Sequence, residues 1–423
     1  MALLLLTFVA FLVIGLPIAF AMLGAALIAV WYEGFPLTVY AQRVSSGVQS
    51  FPLLAVPLFI LAGNLMNQSG MSERLFEFAR ALIGHIRGGL AHVNVVASVF
   101  MSGISGSSLA DCAATTRVFV PQMEKAGFSR AFSVALTASS ATLAPIIPPS
   151  ILLIIYGWVA NVSIGDLFVA GILPGILIGA VLLTLTGIMA RVRNFPTGDP
   201  FSGHALRKTF ARSVWALLLP ILIVGGFRAG IFTATEVAAV AVFYALLVGV
   251  VIYRTLDLKG IVQALLSTAR DTAAILLLVA AASPFAWVLA MNQAPQAMLG
   301  FITGITDHPI LVLLLLNVML IVLGTFMETL AIIIILLPIL IPLLNALDIN
   351  LIHFGIVMIV NLLIGQMTPP LGVLMFVSCS IARVRMGAFL REAWPFLVGL
   401  VAALLALTFI PAITLWLPSA LRW

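Results

Sequence analysis

The sequence predicts an all-α polytopic membrane protein built as an inverted repeat, with two re-entrant helical hairpins and two helices broken at Pro-Pro pairs. Three observations predict it. First, 63% of the 423 residues are hydrophobic and 8% are charged, where a soluble domain carries roughly a quarter charged. Several apolar stretches exceed the roughly 20 residues that cross a bilayer. Second, the apolar stretches are interrupted at matching places in the two halves. Ala144-Pro-Ile-Ile-Pro-Pro-Ser150 answers to Gly365-Gln-Met-Thr-Pro-Pro-Leu-Gly372, and Gly103-Ile-Ser-Gly-Ser-Ser108 to Gly324-Thr-Phe-Met-Glu328. The interval from Pro148 to Pro174 also recurs between Pro369 and Pro395. Third, Lys and Arg gather in alternate loops: Arg74–Arg87, Arg117–Arg130, Arg191–Arg212, Arg254–Arg270 and Arg383–Arg391. The connections at Asn161–Asp166, Asn292–His308 and Asn345–Asn350 have neither residue. The positive-inside rule places the first set in the cytoplasm and the second outside. A net charge of +6 thus reflects topology, and nucleic-acid binding is not expected. The stretches do not alternate as the strands of a transmembrane β-barrel would.

Taken in order, the first apolar run lacks a basic leader and is too long for the core of a signal peptide. It predicts a retained helix over 3–31, followed by one over 51–69. Ser72–Gly84 reads as an amphipathic helix at the interface. Residues 90–122 are apolar but broken at Gly103–Ser108, with basic loops on both sides, so both ends lie inside: a hairpin. A broken helix over 131–159 and a helix over 167–190 complete repeat one, residues 1–190. Residues 191–234 hold a basic, turn-rich loop (Asn194–Pro200) and a linking helix over 213–229. Repeat two, 235–423, has scaffold helices within 235–291, a hairpin over 309–344 with both ends outside, a broken helix over 353–380 and a last helix over 394–417. The odd number of intervening crossings turns the second repeat upside down.

Interrupted helices in corresponding positions of two inverted halves point to the binding site of a secondary transporter. Helix breaks in lipid free carbonyls and amides that need partners. Cations suit the carbonyls and anions suit half-helix N-termini. Ser105, Ser107 and Ser108 add hydroxyl oxygens at the first tip; Thr325 and Glu328 add theirs at the second. Oxygen donors suit hard cations such as Na⁺. Gly and Ser can equally serve close helix packing, and a single Pro-Pro can be a simple kink; pairing across the repeats favours a site. Asp111 and Glu328 are ionisable within apolar regions and stand as coupling or substrate candidates with Ser108. Glu236, after Thr233 and Thr235, reads as a helix cap. Asn64 and Asn317 read as helix–helix hydrogen bonds. Cys112 and Cys379 have no metal spacing and are not expected to pair. No transition-metal site is expected. No nucleophile–base pair, HExxH or Gly-x-Ser-x-Gly elbow supports an enzyme.

Gly106-Ser-Ser-Leu-Ala-Asp111, Pro121-Gln-Met-Glu-Lys-Ala-Gly127, Ala144–Ser150, Gly324–Glu328 and Thr368-Pro-Pro-Leu-Gly372 together resemble the large membrane (permease) subunit of TRAP (tripartite ATP-independent periplasmic) transporters, the DctM-like family. The resemblance covers nearly the whole chain. It implies an elevator-type transporter of the bacterial inner membrane, in which two hairpins and two broken helices slide against a scaffold. Sodium is then the coupling ion, with no other cofactor. The substrate would be an organic acid such as a four-carbon dicarboxylate or a sialic acid, delivered by a soluble periplasmic binding protein. A small four-helix membrane subunit, here a separate polypeptide, would pack on the scaffold. The family's first sodium site maps onto Ser105, Ser107, Ala144, Ile147 and Pro149; its second onto Gly324, Thr325, Gly365, Thr368 and Pro370. Two departures stand out. Ala144 replaces a common glycine, which would matter if that backbone needed a positive φ. Glu328 replaces a common aspartate. The alternative is a stand-alone ion-coupled organic-anion carrier or antiporter of related architecture.

Overall fold

The computed structural model describes residues 1–198, 200–228 and 232–421. Asp199 of the turn-rich loop and the last residue of the expected linking helix, at 229, lie outside them. Among the described residues twenty α-helices follow one another, and eight helices are long and apolar enough to cross a membrane. The chain is a multi-pass membrane protein.

Repeat one comprises α1 (Ala2–Val13), α2 (Ile18–Tyr32), α3 (Leu37–Gly47), α4 (Ala55–Gln68), α5 (Met71–Ile83), α6 (Gly89–Ser105), α7 (Ser108–Lys125), α8 (Arg130–Ala141), α9 (Ile151–Ala160) and α10 (Ile164–Val192). The linking helix is α11 (Gly203–Arg228). Repeat two comprises α12 (Ala234–Leu247), α13 (Leu258–Met291), α14 (Ala294–Thr303), α15 (Pro309–Phe326), α16 (Thr329–Ala346), α17 (Leu351–Met367), α18 (Val373–Ala382), α19 (Met386–Phe409) and α20 (Ala412–Ala420). One displacement relates the halves: 369 − 148 and 328 − 107 both equal 221. It carries α6 and α7 onto α15 and α16, α8 and α9 onto α17 and α18, and α10 onto α19.

Three expectations need correction. The run 3–31 is two helices, α1 and α2, that pack on each other. Gly15 takes a φ of +90° and Pro17, which has no N–H to donate, caps α2, so one straight helix is impossible there. The last helix likewise stops at Phe409 and restarts after Pro411. The scaffold helix expected within 272–291 is the end of the 34-residue α13. In repeat one the same span is divided between α3 and α4 by the turn at Phe51–Leu54.

The basic loops converge at one end of the molecule. Arg87 pairs with Thr197 across an isolated bridge, Phe128 lies 4.7 Å from Phe195, and Arg193 forms an ion pair with Glu392. Ser213 donates to the Arg74 carbonyl, and the Arg74 guanidinium sits 3.8 Å over the ring of Tyr253. Both outer ends of the α6–α7 pair therefore meet the 191–212 loop, as Gly88 N–H to Pro196 O (2.9 Å) also shows. The expected amphipathic helix is α5, with Met71, Leu75, Phe78 and Ala79 buried.

Glu236 closes a capping box. The Thr233 N–H donates to its carboxylate at 2.7 Å, and the Thr233 hydroxyl accepts from the Glu236 N–H. Thr233→Ala is expected to cost about 1 kcal/mol in thermal denaturation while leaving transport rates unchanged. A loss of transport at unchanged stability would overturn the capping assignment. Asn64 donates to Thr268 at 3.0 Å, and Asn317 donates to Thr408 and accepts from Asn361. Cys112 and Cys379 are both free and buried.

Candidate functional site

The site is built where the chain stops being helical. At the first tip, α6 ends on Gly106, whose φ is +57°. A Cβ there would lie 2.7 Å from the Pro149 carbonyl oxygen and 3.4 Å from the Ile151 nitrogen. Glycine alone lets the tip settle on the broken segment after α8. Ser107 then caps α7, accepting the Ala110 N–H at 3.4 Å. The Ser105 hydroxyl oxygen is buried and has no hydrogen-bond partner among the described residues. A buried polar atom without a partner is unusual. An oxygen-liganded cation beside the Pro149 carbonyl would satisfy it, so this donor set fits Na⁺.

The second tip follows the same plan with different residues. Glu328 occupies the N-cap position of α16, as Ser107 does that of α7, but makes no side-chain capping hydrogen bond. Gly324 and Gly365 pack backbone to backbone: a Cβ on Gly365 would lie 2.8 Å from Gly324 Cα and 2.7 Å from Ile321 O. The Gly372 N–H donates to the Thr325 carbonyl at 3.0 Å, and Gly372 sits against the Thr368 carbonyl. Gly324, Thr325, Gly365 and Thr368 are thus brought together, and Gly106, between Ser105 and Ser107, is brought against Pro149. Both Pro-Pro bonds are cis. Pro370 is exposed.

The Pro-Pro strings predict unwinding around Ala144–Pro148 and Gly365–Thr368, with proline in the first turn of each restarting helix; the breaks differ in detail from that expectation. The first unwinds over residues 142–150, and the second only over 368–372, because α17 stays helical through Gly365 to Met367. Gly365 is needed for close packing on Gly324, not for an unwound backbone. The prolines lie inside the breaks, ahead of the caps Ser150 and Gly372, rather than in the first turn of the restarting helix. Ala144 is fully buried and is not among the described residues with positive φ. The alanine there meets no backbone penalty. Ile147 packs its side chain on Gly175 of α10.

A cavity of about 430 Å³ lies between these tips and the helices α4 and α13. Ser105, Ser107, Ser108 and Glu328 line one side; Asn64, Asn67 and Asp271 line the other. Asp111 is buried in the first turn of α7, both its carboxylate oxygens lack a partner among the described residues, and it does not line the cavity. The two acidic candidates therefore do not face one another. Gln366 was missed by the sequence reading. It lines the cavity, accepts from Ser108 at 3.4 Å and donates to Thr329 at 2.8 Å. Ser108 and Thr329 are related by the same displacement of 221 (329 − 108), so one amide ties the two tips together. Its position within Gly365–Gly372 was the available signal. Asp271 was also missed, being hidden in an otherwise ordinary basic loop.

An all-helical membrane chain whose two repeat-related tips close on one cavity has the architecture of a permease. The chain belongs to the family described as "Tripartite ATP-independent periplasmic transporter, DctM component", whose model matches residues 5–413. It is 39% identical over 96% of its length to the Vibrio cholerae sialic acid TRAP transporter large permease protein SiaM, covering 95% of that protein. It is 38% identical to the Escherichia coli 2,3-diketo-L-gulonate TRAP transporter large permease protein YiaN, over 97% of this chain and 96% of that one. It is 37% identical to the Pseudomonas aeruginosa C4-dicarboxylate TRAP transporter large permease protein DctM, over 94% and 93%. Among solved structures, the Alcanivorax borkumensis YdaH transporter superposes with a TM-score of 0.64 at 16% identity, over 89% of this chain and 88% of that one. That likeness concerns the fold alone.

Proposed function

We propose that the chain is the permease of a sodium-coupled importer of a small organic acid. The acid is handed over by a periplasmic binding protein, and a small four-helix membrane subunit completes the complex in the bacterial inner membrane. The observation that carries this reading is the meeting of both tips, the first break at Pro145 and Gln366 just ahead of the second beside one cavity that also touches α4 and α13. In this reading α6–α7 and α15–α16 are re-entrant hairpins. With α8–α9 and α17–α18 they form the unit that slides, elevator fashion, along the scaffold. The tight Gly324–Gly365 contact and the Gln366 bridge support movement as one body. Sodium at Ser105, Ser107, Ala144, Ile147 and Pro149, and at Gly324, Thr325, Gly365, Thr368 and Pro370, would hold each tip against its break. The acids in the relatives' names support the substrate class.

The test is uptake into proteoliposomes holding this chain and its small subunit, with labelled organic acids, an inward sodium gradient and the binding protein. Uptake requiring gradient and binding protein supports the proposal; uptake needing neither supports a stand-alone carrier. Ser107→Ala and Thr325→Ala are each expected to raise the sodium concentration for half-maximal uptake about tenfold, the equivalent of ~1.4 kcal/mol. Unchanged sodium dependence in both variants would refute the site assignment.

A further inference from the structure

The cavity's charge is one-sided. Asp271 on α13 and Glu328 at the second tip both line it, and no Lys or Arg does among the described residues. Arg270 is the next residue on the same helix, but successive helical side chains point about 100° apart, and it is not part of the lining. Asp271 makes no hydrogen bond or ion pair among the described residues. A sodium ion at the second tip would offset Glu328. Asp271, an exposed residue, stands on the opposite wall and faces the bound molecule. A purely anionic acid would then meet like charge at the cavity wall, which selects against it.

We propose that the substrate is a zwitterion, an organic acid that also carries a protonated primary or secondary amine. This rests on the organic-acid reading and narrows it. The amine would donate charge-assisted hydrogen bonds to Asp271. The acid group would lie at the first tip, where Ser107 and Ser108 open the 18-residue α7 with free N–H groups and no lining carboxylate. A quaternary nitrogen is disfavoured, because such groups are recognised by aromatic faces and no aromatic side chain lines the cavity among the described residues. Asn64 and Gln366 supply neutral hydrogen-bonding groups between the two ends.

The test is uptake by the complete transporter of matched labelled acids that differ in the amine: aspartate against succinate, β-alanine against 3-hydroxypropionate, taurine against isethionate. The expected result is at least tenfold preference for an amine-bearing member. Asp271→Asn should remove that preference while the hydroxyl or unsubstituted analogue is taken up at least as well as before, and Asp271→Glu should retain it. Uptake confined to members without nitrogen overturns this inference and leaves the organic-acid reading standing, as does an Asp271→Asn variant with intact preference. An Asp271→Asn variant that takes up neither class, beside an active Asp271→Glu, shows a charge required for transport rather than selection, and overturns it too. Uptake of no acid by the unaltered complex overturns the organic-acid reading, and this inference with it.

Discussion

Gly365→Ala is expected to abolish sodium-driven uptake and to lower thermal stability. The added Cβ would lie 2.7 Å from the Ile321 oxygen and 2.8 Å from Gly324 Cα. Both neighbours are backbone, so no side-chain rotation relieves the clash. Overpacking a tight interior costs about 1–3 kcal/mol even where side chains can yield, and here α15 and α17 must separate. Separation moves Thr325 away from Gly372 and opens the second tip. The informative control is Ala144→Gly, at the corresponding position of repeat one (365 − 144 = 221). It removes a methyl from a backbone that already accepts one, so uptake should stay within about twofold, with stability changed only by roughly the 1 kcal/mol cost of glycine's freedom. Melting temperature and sodium-dependent uptake of the two variants would check both. A stable, active Gly365→Ala protein would mean that the observed Gly324–Gly365 contact is not that of the working transporter.

This asymmetry shows what the sequence could and could not reveal. The repeat was legible because proline and glycine act on the backbone directly. Pro148-Pro149 and Pro369-Pro370 end helices wherever they stand, and the charge of the loops follows from the cost of translocating Lys and Arg. The role of Gly365 was misread as unwinding, since a string cannot say whether a glycine serves its own φ or a neighbour's approach. The split of 3–31 was missed for a related reason. Hydropathy is continuous across Gly15 and Pro17, although the conformations of those two residues break the helix. Of the site, the hydroxyls and carbonyls at the tips were legible as broken-helix chemistry. Asp111 and Glu328 looked equivalent by spacing, but only Glu328 reaches the cavity. Asp271 could not be found, because its importance comes from α13 crossing opposite the tips, a matter of tertiary packing.

Gln366→Leu should lower uptake at least tenfold while costing only about 1–3 kcal/mol of stability. Leucine nearly fills the same volume, so α17 keeps its packing. The Ser108 and Thr329 hydroxyls lose their shared partner, but both line the cavity, where water can replace it. Stability is therefore spared more than function. What disappears is the hydrogen-bonded link, through one side chain, between the first residues of the two second arms, and with it the alignment of the tips. Gln366→Glu keeps the length and can still accept from both hydroxyls, so it should retain more activity than leucine. The deciding measurement is a double-mutant cycle with Thr329→Ala. If Gln366 acts by joining the tips, the two losses overlap and the combined variant is little worse than Gln366→Leu alone. Strict additivity would show that each side chain contributes separately, and that the two tips are not coupled through this amide.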